Sequence, residues 1–123
     1  MNNSFTDFNK NFFNSFTGYN IQWFDMEGII EFDDNRLVSI KLDNIGTHNQ
    51  FNGYWVEIIN KQRGTIYKKF FKFKDYMDFK HRDDGMKFYY ARFDTEELDW
   101  YISRPKSTKP MLDAISMFIN KFY

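Results

Sequence analysis

A chain of 123 residues with no cysteine excludes a disulfide framework, thiol catalysis and cysteine-ligated metal centres, and its 17 basic and 17 acidic residues give a formal net charge of zero that is unevenly distributed along the chain. Its length fits one domain spanning 1–123, which buries roughly two-thirds of the surface its unfolded chain exposes and needs no covalent or metal staple. With 16 Phe, 8 Tyr and 3 Trp, each ring burying on the order of 150–250 Å², the aromatics outnumber the room in one core, so aromatic surface is expected outside it.

The first segment predicts a helix, because Phe5, Phe8, Phe12, Phe13 and Phe16 recur at spacings of three and four, with Asn3 or Ser4 placed to cap it and Gly18 to end it. Asn9, Asn11 and Asn14 lower its intrinsic propensity, so packing has to hold it. Between 19 and 93 the pattern turns to short strand-like runs. Strands are expected over 19–24, 28–32 and 37–42, the last two joined by the turn composition Asp33-Asp34-Asn35-Arg36. A polar loop is expected over 43–53, then a strand over 54–60, a hairpin at Lys61-Gln62-Arg63-Gly64, and a strand over 65–74. Residues 75–85 read as irregular or a short helical turn, 86–93 as a further strand, 95–99 as a capped helical turn, and 100–103 as a short final strand. Thr108 and Pro110 open a C-terminal helix of about 13 residues whose stripe is Met111, Leu112, Ile115, Phe118, Ile119 and Phe122.

Helix, five or six antiparallel strands in a meander of hairpins, then helix is an α+β order, with no alternation that would call for a parallel sheet. Both helices are expected on one face of the sheet, leaving the other open to solvent or a partner. The N-terminus has neither the basic nor the apolar region of a signal peptide, and no apolar run approaches the roughly 20 residues that cross a bilayer, so a cytoplasmic protein without a membrane partner is expected.

Catalytic and metal chemistry find no motif. His48 and His81 are the available imidazole bases, but both lie in polar loop composition that reads as solvated, and no Gly-x-Ser-x-Gly elbow accompanies them. His81, Asp83 and Asp84, and the pair Asp33-Asp34, lack the spacing of a metal loop and are followed by turn residues. Ser39-Ile40-Lys41 lacks the Glu of a restriction-type nuclease strand, and Glu57-Ile58-Ile59 lacks its Lys. Six glycines are too dispersed to cradle a phosphate. No catalytic residue, metal or cofactor is therefore expected.

What remains is surface. The first 60 residues carry eight acidic and three basic side chains, and the rest carry nine and fourteen. Asp25, Glu27, Glu31, Asp33 and Asp34 gather around the first hairpins, and together with the rings Trp23, Trp55, Tyr89, Tyr90 and Trp100 they form the expected partner-binding set. In the basic half, a strand would put Lys68, Lys72 and Lys74 on one face and Tyr67, Phe71 and Phe73 on the other, with Lys69 and Phe70 breaking the pattern. Lys68, Lys69, Lys72, Lys74, Lys80, Arg82, Lys87 and Arg92, interleaved with rings, form the alternative, nucleic-acid-binding set. Residues 86–93 nevertheless lack the glycines of the aromatic strand in RNA-recognition sheets.

The expectation is a small non-enzymatic module that binds a larger protein by surface complementarity, of the kind that serves as an inhibitor, an immunity protein or a counter-defence protein of a phage or mobile element. The Asn, Lys, Ile, Phe and Tyr bias indicates an AT-rich coding source such as a low-GC bacterium. A nucleic-acid-binding domain is the alternative, an enzyme with a carboxylate site ranks third, and a homodimer through a sheet edge or an aromatic face is compatible with either binding reading.

Overall fold

Val38, Ile40 and Leu42 alternate along one run and Tyr54, Val56 and Ile58 along the next, and all six are buried. Side chains of a strand alternate between faces, so this period of two commits one side of a sheet to the core. The computed structural model, which describes residues 4–45, 50–76, 91–94, 99–100 and 108–123, builds that sheet as a meander. Strands β1 (Gln22–Phe24), β2 (Glu27–Glu31), β3 (Arg36–Ile45), β4 (Gln50–Asn60) and β5 (Gly64–Lys72) each pair antiparallel with the next. Helix α1 (Ser4–Phe12) precedes the sheet and helix α3 (Lys109–Phe122) follows it, giving the single small α+β domain that the sequence implies. A one-turn helix α2 (Phe73–Tyr76) closes β5. Two short strands, β6 (Ala91–Asp94) and β7 (Asp99–Trp100), extend the sheet: β6 pairs with Gln50 and Phe51 at the start of β4, beyond the reach of β5, and β7 pairs with β6.

Register places Gly28, Ile40 and Val56 in one cross-strand row, Ile30, Val38 and Ile58 in a second, and Leu42, Tyr54 and Phe71 in a third. Both long helices cover this side. Phe12 of α1 meets the rings of Tyr54 and Phe73 at 5.3 and 5.6 Å, while on α3 Phe118 meets Phe71 at 5.7 Å and Phe122 stacks on Tyr67 at 3.8 Å. Ring pairs at these separations add about 0.5–1.5 kcal/mol each beyond the area they bury. Met111, Leu112, Ile115 and Ile119 complete the buried stripe of α3.

Turn chemistry fixes the register. At the β2–β3 connection the Asp33 carboxylate accepts from the backbone N–H groups of Asn35 (2.9 Å) and Arg36 (2.8 Å) and from Nε of Arg36 (2.8 Å). The Lys61-Gln62-Arg63 hairpin ends on Gly64 at φ +84°, the left-handed position that a three-residue loop of this type requires. Gly18, at φ +89°, lies just past the aromatic turn of Phe13 to Phe16, where the chain leaves the helix direction.

Several boundaries differ from the sequence expectation. The polar stretch 43–53 is not all loop: β3 runs on to Ile45 and β4 begins at Gln50, with a register shift between Leu42 and Asn44. The strand expected over 65–74 stops at Lys72, so Phe73 and Lys74 belong to α2; Phe71 and Phe73 are buried, whereas Tyr67 is 45% exposed. The first strand begins at Gln22, and Tyr19 instead stacks on Phe16 at 5.1 Å.

Candidate functional site

The meander has a second side. Ile29, Glu31 and Glu27 of β2, Leu37, Ser39 and Lys41 of β3, Trp55, Glu57 and Ile59 of β4, and Lys68, Phe70 and Lys72 of β5 alternate with the core positions and so share the opposite face. Neither α1 nor α3 contributes to it: their buried residues pack on the other side. Among the described residues this face is open.

Trp55 is its centre. It stands opposite Phe70 in register, with ring centroids 4.7 Å apart, and opposite Lys41 on the other side. The Lys68 ammonium lies over the Trp55 ring at 4.9 Å from its centroid, and the indole N–H donates to the Asp43 carboxylate at 3.3 Å. A cation over a tryptophan face at a solvated site contributes about 0.5–1 kcal/mol, enough to fix the ring's orientation without anchoring the fold. Along the row, Glu27 stands opposite Lys41 and Glu57 opposite Lys68. Ser39 donates to Glu27 at 2.6 Å, which holds one oxygen of that carboxylate in place. Phe24 of β1 ends this row and is 61% exposed.

Because the sheet is a meander, order in sequence becomes order in space. The acidic residues Asp25, Glu27, Glu31 and Asp34 collect at the β1–β2 side, whereas Lys61, Arg63, Lys68, Lys69 and Lys72 belong to β5 and the turn that leads into it. Three inter-strand steps of about 4.8 Å separate β2 from β5, roughly 14 Å, which exceeds the Debye length of about 8 Å at physiological ionic strength. The two poles therefore act as separate patches, and the interior columns, Lys41 against Glu27 and Glu57 against Lys68, lie between them as opposed charges.

The residues singled out in the sequence are not all brought together. Of the partner-binding set, Trp55, Glu27 and Glu31 share the open face, Asp25 and Asp34 lie in turns at its acidic side, and the Asp33 carboxylate is engaged by its own turn. Trp23 is on the helix side: it stands opposite Gly28 in the core row and packs on Phe13 at 5.3 Å. Trp100 is placed on β7 by its backbone alone, and Tyr89 and Tyr90 lie outside the described residues. Of the nucleic-acid set, Lys68 and Lys72 share the open face, but Lys69 points to the helix side, its ammonium 5.2 Å from the Phe71 ring centroid. Lys74 is in α2 and Arg92 in β6, while Lys80, Arg82 and Lys87, like His48 and His81, lie outside the described residues.

Sequence reasoning passed over Lys41, Glu57 and Phe70 as members of this surface. Phe70 carried a signal, since it broke the alternation of the β5 run. Lys41 and Glu57 had none, because nothing but cross-strand register sets them beside Trp55. Among the described residues no three His, Asp or Glu side chains come together as a metal site, and no helix is long and apolar enough to cross a membrane. Comparison with protein-family models, with curated proteins and with solved structures finds no match.

Proposed function

We propose that the chain is a non-enzymatic protein-binding module that engages a larger partner with the open face of its meander. The observation that carries this reading is the composition of the face in its spatial order: an acidic side at β2, rings Trp55 and Phe70 with the aliphatic Ile29, Leu37 and Ile59 in the middle, and a basic side at β5. Protein interfaces pair an aromatic and aliphatic centre with a charged rim, and opposed charge patches set orientation and speed encounter. A face five strands wide, with strands of three to eleven residues, measures roughly 20 by 25 Å, somewhat over half of the about 800 Å² that one partner contributes to a standard interface. Such complementarity suits an inhibitor or counter-defence protein, which blocks a larger target without chemistry of its own.

The test is affinity capture with the intact chain and with Trp55→Ala/Phe70→Ala, using lysate from a low-GC bacterium. A stoichiometric protein retained by the parent and lost by the double variant is the expected outcome. Recovery of no partner, or of the same partner by both, removes the reading.

A second reading has its own support. Trp55, Phe70, Lys41, Lys68 and Lys72 share one face, and rings to stack under bases with ammonium groups for phosphates is how single strands are held without sequence readout. Glu27, Glu31, Glu57 and Asp43 share that face and would repel a phosphodiester, which is why the protein partner is preferred. A gel shift with single-stranded DNA or RNA at about 50 mM salt that disappears by about 200 mM would reverse the preference.

A further inference from the structure

On the helix side of the sheet, away from the open face, Lys10, Phe13, Phe16, Tyr19, Ile21 and Trp23 line a cleft of about 270 Å³ between α1 and β1. The walls are aromatic and mutually braced: Phe13 packs on Trp23 at 5.3 Å, Phe16 meets Phe13 edge-on at 5.4 Å, and Tyr19 stacks on Phe16 at 5.1 Å. Tyr19 is tied in turn to α3, its hydroxyl donating to the Asn120 side chain. The floor has a sequence cause. A Cβ at Gly28 would come within 2.7 Å of both the Trp23 ring and Ile21, so glycine is what allows the indole to lie flat across β2.

We propose that this cleft is a binding site for a small planar aromatic carboxylate, a ligand that goes beyond the sheet-face reading and does not depend on it. Three features select that class. The volume exceeds the roughly 150 Å³ that suffices to hold benzene in a protein interior, leaving space for a ring and a short acid arm. The walls offer ring faces and edges at the separations aromatic pairs prefer. Lys10 borders the cleft, is exposed, and makes no ion pair among the described residues, and the Trp23 indole N–H has no hydrogen-bond acceptor among them. An ammonium with no counter-charge among the described residues, beside an aromatic pocket, favours an anion, and a carboxylate supplies it.

The experiment uses the full chain carrying Trp55→Phe/Trp100→Phe, so that Trp23 is the only tryptophan and can be excited selectively over the tyrosines, titrated with 3-phenylpropionate and with its neutral amide. Saturable change in Trp23 emission is expected for both up to about 10 mM, with the acid about threefold to tenfold tighter. Lys10→Gln should bring the acid to the affinity of the amide and leave the amide unchanged. In the unsubstituted chain, aromatic resonance shifts should fall on Phe13, Phe16, Tyr19 and Trp23. No saturable change, equal binding of acid and amide, insensitivity to Lys10→Gln, or shifts centred on Trp55 and Phe70 would each overturn the proposal. Sheet-face variants leave the cleft unaltered, so failure here and failure of the partner reading are read separately.

Discussion

At the scale of single residues, a buried asparagine does the work that binds α1 to the sheet. Asn9 is fully buried; its side-chain N–H donates to the Asp25 carbonyl at 3.1 Å and its oxygen accepts from the Tyr54 hydroxyl at 2.5 Å. Read from sequence, Asn9 only weakens a helix; its role follows from the β1–β2 turn, where Asp25 sits at φ +56° and presents its carbonyl to α1. Asn9→Ala strands the Tyr54 hydroxyl without an acceptor, so we expect a loss of about 2–3 kcal/mol in urea unfolding. Tyr54→Phe leaves only the Asn9 oxygen unpaired and should lose about 1–2 kcal/mol. The same phenol sets an alkaline limit. Burial raises its pKa well above the ordinary 10.0, so the unfolded chain ionises first. Stability is therefore complete below pH 10 and declines as pH rises above it, by at most about 1.4 kcal/mol per pH unit for this one proton. Urea midpoints between about pH 8 and 11 should fall more steeply in the parent than in Tyr54→Phe; parallel curves would show that the phenol is not the titrating group.

At the scale of elements, the connections decide how much could be read in advance. The β4–β5 hairpin was legible because Gly64 marks the left-handed position, and Gly64→Ala should cost about 1 kcal/mol with little change elsewhere, measured as a shift in thermal midpoint. The β2–β3 turn was legible too. The backbone N–H of Asn35, then the Arg36 side chain, hold the Asp33 carboxyl below its ordinary 3.8. Its contribution is present above that value and is lost as pH falls below it. An Asp33→Asn chain should accordingly show a shallower acid limb when folding is followed by circular dichroism, and an unchanged limb would remove this assignment. The stripe of α3 was legible from its spacing of three and four. The extensions of β3 to Ile45 and of β4 back to Gln50 were not, because Asp43, Asn44 and Gln50 carry loop-like side chains while their pairing is made by the backbone across the ladder. Nor could alternation alone tell which face of β1 holds Trp23. That depends on Gly28 one strand away, whose missing side chain leaves room for the indole on the core side.

At the scale of the whole molecule, the composition posed one question that only topology answers: whether an acidic first half and a basic second half mix or separate. A Greek key or a β-strand crossover would have set early strands beside late ones; a meander keeps neighbours in sequence as neighbours in space, so the acids of β2 and the lysines of β5 stand apart, with Lys41 of β3 and Glu57 of β4 between them. Among the described residues the sheet then has an acidic and a basic side, and this has a direct physical readout. Near its isoelectric point of about 6.7 the chain should be retained on both an anion and a cation exchanger, at about 0.1 M salt, where a Debye length of about 10 Å is shorter than the roughly 14 Å between the poles and each is sensed by itself. Lys68→Gln/Lys72→Gln should release it early from the cation exchanger while leaving the anion exchanger unaffected, and Glu27→Gln/Glu31→Gln should do the converse. Both pairs lie on the open face rather than in the core, so neither change should disturb the fold. Passage through both resins would show that the poles cancel. Retention with the two variant pairs interchangeable would place the effective charge elsewhere on the surface, and the partner's docking orientation would then have to be set by something other than the sheet.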